Sequence, residues 1–254
     1  MTTSTCTATA TIPIKKQAET SQHCSACSLH ELCLSKGLDK VDMMQLDMII
    51  GRRRKVAKGE PLFRVNDPLT KLYAIRLGHF KTHKVTPAGE EQIVGFQMAG
   101  ELLGWDAIGS DRHHCDATAL EDSEVCEIPF TKLETLLGQL PVLMHRFHRL
   151  MSQEITREQG VMLLLGNMRA EQRMAVFLTN LSARYAARGY SSTQFQLRMS
   201  REDIGTYLGL TIESISRLFS RFKKMGLVKI DNRQLQLLDP VRLKAMAAGS
   251  VACD

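Results

Sequence analysis

The sequence predicts an α+β fold in three parts, a β-roll, a long helix and a C-terminal winged helix-turn-helix, and three observations carry that prediction. Between Val56 and Phe130 short apolar runs, LYAIRL, EQIVGF and VCEIPF, are separated by Gly59, Gly78, Gly89, Gly95, Gly100, Gly104 and Gly109, the punctuation of short strands. From Pro141 to about Gly166 nothing interrupts a helical pattern, and proline is favoured at a first helical position. Further on, Ser200, Gly209 and Thr211 stand where two short helices need a cap, a turn and a second cap. No helix falls between the strands to make a parallel sheet, so a roll or barrel-like sandwich is expected.

At 254 residues with a formal net charge of +6, the chain is long enough for one large domain or two ordinary ones. It has no uninterrupted apolar run of about 18 residues, and its first residues, MTTSTCTATATIPIKK, lack the basic and apolar regions of a secretory signal. The expectation is a cytoplasmic protein with no membrane segment. Seven cysteines, an odd number without secretory context, argue against a disulfide framework and leave metal, redox chemistry or inert burial. From Phe195 to Arg233 there are eight Lys and Arg against four Asp and Glu, whereas residues 1–51 come out near −1. The basic excess, and with it a polyanionic partner, belongs to the C-terminal end.

Taken in order, residues 1–20 are rich in Thr, Ala and Ser without periodicity and read as a poorly ordered arm, in which Cys6 has no structural part. The stretch HCSACSLHELCL then places Cys24, Cys27 and Cys33 within ten residues. Two sulfurs of a Cys-x2-Cys pair can face one centre from a single turn, and the five-residue gap brings a third around it. A fourth ligand has to come from Cys115, in the polar loop SDRHHCD, or from Cys126, in the strand VCEIPF, because Cys253 falls on a loose tail. Spacing alone does not choose between zinc and an iron-sulfur cluster. Adjacent loop residues seldom point at one ion, so His113, His114 and Cys115 are not read as a metal site, and the thirteen Met residues are read as core filling.

Leu38, Val41, Met44, Leu46 and Ile49 repeat at helical spacing up to Gly51, and the basic run Arg52 to Lys55 reads as a solvated turn. Pro87-Ala88-Gly89 marks a hairpin tip within the roll. On the long helix, about 24 residues and roughly 36 Å, Met144, His148, Met151, Ile155, Glu158, Met162 and Leu165 step alternately by four and three residues, a heptad seam. Such a seam can pack into the helix's own domain or against a second copy of the chain, and the second is preferred because Phe147 and Leu150 lie off the seam and can face the roll. A helix from Glu171 to about Arg188 turns Met174, Phe177, Leu178 and Leu181 inward.

In the C-terminal pair, Ser200 caps Arg201 to Leu208, Gly209 turns, and Thr211 caps a helix running to about Lys224. Ile215, Leu218, Phe219 and Phe222 share one face of that second helix, and Glu213, Ser216, Arg217 and Ser220 share the other. The polar face is free to enter a DNA groove, where Arg can bond guanine O6 and N7, Glu can accept from cytosine N4 and Ser can do either. LVKIDNRQLQLL reads as a wing turning at Asp231-Asn232, followed by a short Ala-rich tail. There is no phosphate-binding glycine loop and no nucleophile-base pairing to suggest an enzyme.

These residues resemble the FNR (fumarate and nitrate reduction) regulators of the CRP/FNR superfamily over essentially all of residues 22–240. The resemblance rests on HC-x2-C-x5-C at 23–33, WDAIGS at 105–110 where the family has FDAIGS, VCEIPF at 125–130, and DIGTYLGLT-x-ES-x-SRL at 203–218. It implies a cyclic-nucleotide-binding-like β-roll and an oxygen-labile [4Fe-4S] cluster on Cys24, Cys27, Cys33 and Cys126, since Cys126 falls on the family's fourth cysteine and Cys115 does not. It implies that Glu213, Ser216 and Arg217 read half-sites like TTGAT of a palindrome in double-stranded DNA, and that RNA polymerase is a partner. In the cyclic-nucleotide branch a Gly-Glu and an Arg-Ser pair hold the ligand; here the places correspond to Gly104-Trp105 and Cys115-Asp116, and an Asp would repel a phosphate, so no cyclic nucleotide is expected.

The resulting division is an N-terminal arm with a cysteine-rich sensor segment at 1–51, the β-roll at 52–140, the dimerisation helix at 141–168 and the winged helix-turn-helix at 169–254. The expected protein is an oxygen-sensing, homodimeric transcription regulator whose cluster promotes dimerisation and anaerobic DNA binding. The alternatives are a zinc-stabilised regulator that binds DNA constitutively and a small-molecule-binding regulator of the cAMP type.

Overall fold

The computed structural model describes residues 23–86 and 88–249. The expected arm with Cys6, Pro87 of the hairpin tip, and Cys253 lie outside them. After a short 3-10 turn at Cys24–Ala26, helix α1 (Lys40–Ile49) starts where the Asp39 carboxylate accepts from the N–H groups of Val41 and Asp42, satisfying donors a helix start leaves free. Leu46 is buried on its inner face, but Val41 and Met44 point outward and are exposed, so the anticipated apolar stripe is buried in part.

The roll has eight strands: β1 (Arg53–Val56), β2 (Pro61–Phe63), β3 (Lys71–Leu77), β4 (His79–Val85), β5 (Glu91–Met98), β6 (Leu102–Leu103), β7 (Asp116–Ala119) and β8 (Ser123–Pro129). They pair antiparallel into two four-stranded sheets, β1-β8-β3-β6 and β2-β7-β4-β5. The basic run expected as a solvated turn is largely β1, with Arg53 opposite Cys126. Its charges are tolerated in a sheet because carboxylates face them: Glu124 lies 3.8 Å from Arg53, and Glu60 lies 2.8 Å from Arg54.

Helix α2 (Phe130–Gln139) follows β8 without a break and buries Phe130, Leu133, Leu136 and Leu137. The sequence reading missed it, because Phe130 closes the apolar run of the strand and hides the change of period. The long helix α3 (Pro141–Asn167) has its proline in the first turn, as expected, and buries Leu143 and Phe147 toward the roll. Then come α4 (Ala170–Ala186), β9 (Gln194–Gln196), α5 (Arg201–Leu208), α6 (Ile212–Lys224), β10 (Val228–Asp231), β11 (Gln234–Leu237) and α7 (Pro240–Ala247). Three of these details correct the reading. Asp231 pairs with Gln234, so the wing turns at Asn232-Arg233, one residue later, with Asn232 at φ 54°. Strand β9 adds a third strand beside β11. Part of the tail is helix α7, capped by Asp239 and burying Leu243 and Met246.

Two cores tie these elements together. One joins Leu34 and Leu46 of the N-terminal segment to α2 and to Leu143 and Phe147 of α3. Another runs from Ile93, Phe96 and Met98 of β5 into α4, α5 and α6, so the C-terminal helices sit on the roll. Phe96 packs against Phe177 and Tyr207, and Glu101 accepts from Arg157, Arg184 and Arg188. Among the described residues no helix is long and apolar enough to cross a membrane.

Candidate metal centre and nucleic-acid interface

Cys24, Cys27, Cys33 and Cys126 line one small apolar cavity, walled by Leu34, Leu46 and Ile128. Three elements bring them there. Cys24 opens the 3-10 turn, and its N–H donates to Asp47 of α1 at 2.6 Å. Cys33 closes a helical turn through its N–H to the Leu29 carbonyl at 3.0 Å. Cys126 stands in β8 between β1 and β3. Side chains alternate across a strand, so Val125 fills the inside of the roll while Cys126 joins the core beneath the N-terminal segment.

Burial first, then Cys33 and Asp47, raises the Cys24 thiol well above its ordinary value. Burial pushes Cys33 up to about 11 and also raises Cys126, where Arg53 works in the opposite direction. Thiols held this way ionise when a cation arrives, so ligation releases protons. Among the described residues no three His, Cys, Asp or Glu are gathered tightly enough to hold a single metal ion.

Cys115 is not in this group. Expected in a polar loop, it is 5% exposed at the entry to β7 and its Sγ donates to Asp106 at 3.4 Å. The neighbouring histidines diverge: His113 is buried against the Phe63 ring at 3.7 Å and bonded to Asp106, whereas His114 meets Ser110. A separate cavity of ≈ 330 Å³ between the roll and α3 has Lys84, Asp106, Glu154 and Glu158 in its lining. Asp116, expected to face a ligand there, is not in the lining; it accepts from the Val65 N–H at 2.6 Å and lies 3.5 Å from His83.

Along α3 the heptad positions stay mostly uncovered within one chain. His148, Ile155, Glu158 and Met162 are exposed, the last 74% so, and Met144, Met151 and Leu165 are half-buried. Met144 and Met151 lean on the same core as Cys24, Cys33 and Cys126. Leu150 packs on that core too, and Phe147 is part of it. Arg146, which no sequence pattern singled out, donates from Nε to the Cys33 carbonyl at 2.9 Å and from Nη2 to the Leu32 carbonyl at 2.5 Å.

The C-terminal helix pair is built tightly. Ser200 and Asp203 form a reciprocal capping box at the start of α5, and Thr211 caps α6 by accepting from the Ser214 N–H. Gly209 takes a left-handed φ of 63° at the turn, and a Cβ on Gly205 would lie 2.6 Å from the Leu210 carbonyl oxygen, so two glycines let the helices approach. Ile215, Leu218, Phe219 and Phe222 are buried, while Glu213 and Arg217 are exposed. Ser216 is half-buried and accepts from Arg201 at 3.1 Å; that guanidinium also lies over the Phe219 ring. Arg201 thus joins the exposed polar surface, a position the face-by-face reading of α6 could not reach because it lies on α5. The Glu213 backbone N–H and the Thr211 hydroxyl hold the Glu213 carboxyl below its ordinary value, leaving an anion ready to accept.

Comparison with known proteins matches the roll and the C-terminal helix-turn-helix domain. Residues 53–139 match the cyclic nucleotide-binding domain family and residues 172–246 the Crp-like helix-turn-helix domain. The transcriptional activator protein Anr of Pseudomonas protegens is 46% identical over 239 residues, covering 94% of this chain and 98% of that protein. The fumarate and nitrate reduction regulatory protein of Salmonella typhimurium is 47% identical over 225 residues, covering 89% of this chain and 90% of that one. Among solved structures, FixK2 from Bradyrhizobium japonicum aligns with a TM-score of 0.72 at 27% identity, covering 80% of this chain and 98% of that chain.

Proposed function

The chain belongs to the CRP/FNR family of transcription regulators, beside its Fnr and Anr members, and on that premise we propose that it is a cytoplasmic oxygen-responsive regulator that holds a [4Fe-4S] cluster on Cys24, Cys27, Cys33 and Cys126. The observation that carries this reading is the meeting of those four thiols in one apolar cavity. The donor set fits the group. Four thiols from two separate segments line one apolar cavity, and thiolates are the ligands such a cluster takes.

Cys24, Cys27, Cys33 and Cys126 would hold the cluster, which when bound would supply oxygen-labile iron–thiolate links between the N-terminal segment and β8. The rest follows from the chain's own residues. Cys24, Cys27 and Cys33 tie the segment to Cys126, and the segment shares its core with Met144 and Met151 of α3. Fixing that core favours the placement of α3 in which Met144, His148, Met151, Ile155, Glu158, Met162 and Leu165 pair with a second copy. Pairing sets two α6 helices one DNA turn apart, where Glu213, Ser216 and Arg217 read the half-sites of a TTGAT-like palindrome, and RNA polymerase is the partner on the promoter. This reading includes no cyclic nucleotide: in the lining of the roll cavity Lys84 stands with the Glu158 carboxylate, while Asp106 is paired with His113 and Glu154 with Arg157.

Serine substitutions test the ligand set. Cys126→Ser is expected to abolish the anaerobic visible absorption and DNA binding, while Cys115→Ser, altering a thiol bonded to Asp106 inside the roll, leaves both in place. Loss on Cys115→Ser with retention on Cys126→Ser would move the fourth ligand. Colourless protein carrying stoichiometric zinc would support the zinc-stabilised, constitutive reading instead.

A further inference from the structure

We propose that Arg146 is a positioning residue that couples ligation at Cys33 to the pairing face of α3 by holding the Leu32 and Cys33 carbonyls. The proposal rests on Cys33 being a cluster ligand. The Arg146 guanidinium donates to two consecutive carbonyls, Leu32 at 2.5 Å and Cys33 at 2.9 Å. A planar fork with two bonds fixes the direction as well as the distance of what it holds, which a point charge on a flexible stem does not.

The loop it grips has little room to move independently. On the roll side Leu32 lies against Gly100, where an added Cβ would come within 2.9 Å of the Leu32 Cβ, and Gly100 has φ +89°. On the α1 side the Cys24 N–H is held by Asp47. At the other end of the fork, Arg146 stands between the seam residues Met144 and His148, on a turn anchored by buried Leu143 and Phe147. A shift of the Cys33 backbone is therefore delivered through two hydrogen bonds to the stretch of α3 where the seam begins.

If ligation and pairing are coupled this way, loading strengthens dimerisation and dimerisation strengthens loading by the same factor. Removing the fork leaves all four thiols in place, so the site still fills, but part of the coupling is lost. Met144 and Met151 touch the same core and carry the remainder.

The test uses the full-length chain, its Arg146→Gln variant and its Arg146→Lys variant, each reconstituted anaerobically. Iron, acid-labile sulfide and visible absorption report loading; sedimentation reports the dimer dissociation constant with and without the cluster. Arg146→Gln is expected to load like the parent and, unloaded, to dimerise within about twofold of it, while the strengthening on loading shrinks by roughly tenfold. Arg146→Lys, able to reach one carbonyl, should recover part of the loss. A readout independent of loading is alkylation of the unloaded thiols, in which Arg146→Gln should speed modification of Cys33 and leave Cys126 unchanged. An unchanged loaded-to-unloaded ratio, an equal weakening of both forms, or failure of Arg146→Gln to load would each overturn the proposal. A parent protein that loads no cluster would instead remove the reading on which it rests.

Discussion

Arg217 shows how a single side chain on the exposed face of α6 is expected to behave. It is uncovered, and the apolar face behind it is anchored by Leu218 and Phe222. Arg217→Ala should cost roughly 1 to 3 kcal/mol of discrimination at one guanine per half-site, whereas Lys223→Ala, exposed in the last turn, should weaken all sequences about equally if it touches phosphate. Binding to a panel of half-site variants separates the two; a uniform loss for Arg217→Ala would take away its role as a base reader. At this scale a motif that fixes a spacing made Cys24, Cys27 and Cys33 legible as a group, and they line one cavity with Cys126. Cys115 lies in the loop before β7, as SDRHHCD predicts, but its burial was not legible, because the polar neighbours gave no sign that Asp106, nine residues away, would draw the thiol into the roll. Arg146 was invisible for a related reason: its partners are backbone carbonyls 113 and 114 positions away, and no side-chain pattern records them.

At the scale of elements, α3 carries the sharpest expectation. Glu158 is exposed in the middle of the seam, where a twofold axis would bring its symmetry mate close. Two carboxylates about 5 Å apart repel by roughly 3 kcal/mol at an effective dielectric near 20, enough to weaken dimerisation on the order of a hundredfold. Glu158→Ala is therefore expected to dimerise and bind DNA in air without a cluster, and sedimentation of this variant as a monomer as stable as the parent would contradict that.

The contact between the roll and α4 has its own signature. Burial alone would raise the Glu101 carboxyl, but Arg184, Arg157 and Arg188 outweigh it and hold it down to about 2. A depressed carboxyl stabilises the fold above its ordinary value near 4.5 and loses that contribution as pH falls toward 2. Stability followed from pH 5 to 3 should therefore fall steeply for the parent and less so for Glu101→Gln. At neutral pH the variant should lose about 3 kcal/mol, the low end for a broken buried pair, because the carboxylate keeps 22% of its surface exposed. Elements with a clear period or cap, such as α3, α5 and α6, were legible in the sequence. Helix α2 shares an apolar run with β8, β9 is three residues long, and α7 lies in an Ala-rich tail, so their signals merged with their surroundings.

Across the whole molecule, two continuous cores link sites that are far apart in sequence. The N-terminal segment, Cys126 and the start of α3 share one, and β5, α4 and the helix pair share the other. The order of roll, long helix and winged helix pair was legible from texture alone, but the contacts between them were not, because Phe96, Phe177 and Tyr207 read individually as ordinary core residues. If the state of the four-cysteine cavity governs pairing along α3, protein purified without oxygen should reveal it in sedimentation before and after exposure to air. The expected protein is brown, carries iron and acid-labile sulfide in equal amounts and sediments as a dimer, then bleaches in air and sediments as a monomer. A colourless protein, or one whose oligomeric state is the same before and after bleaching, would show that the cavity does not control pairing.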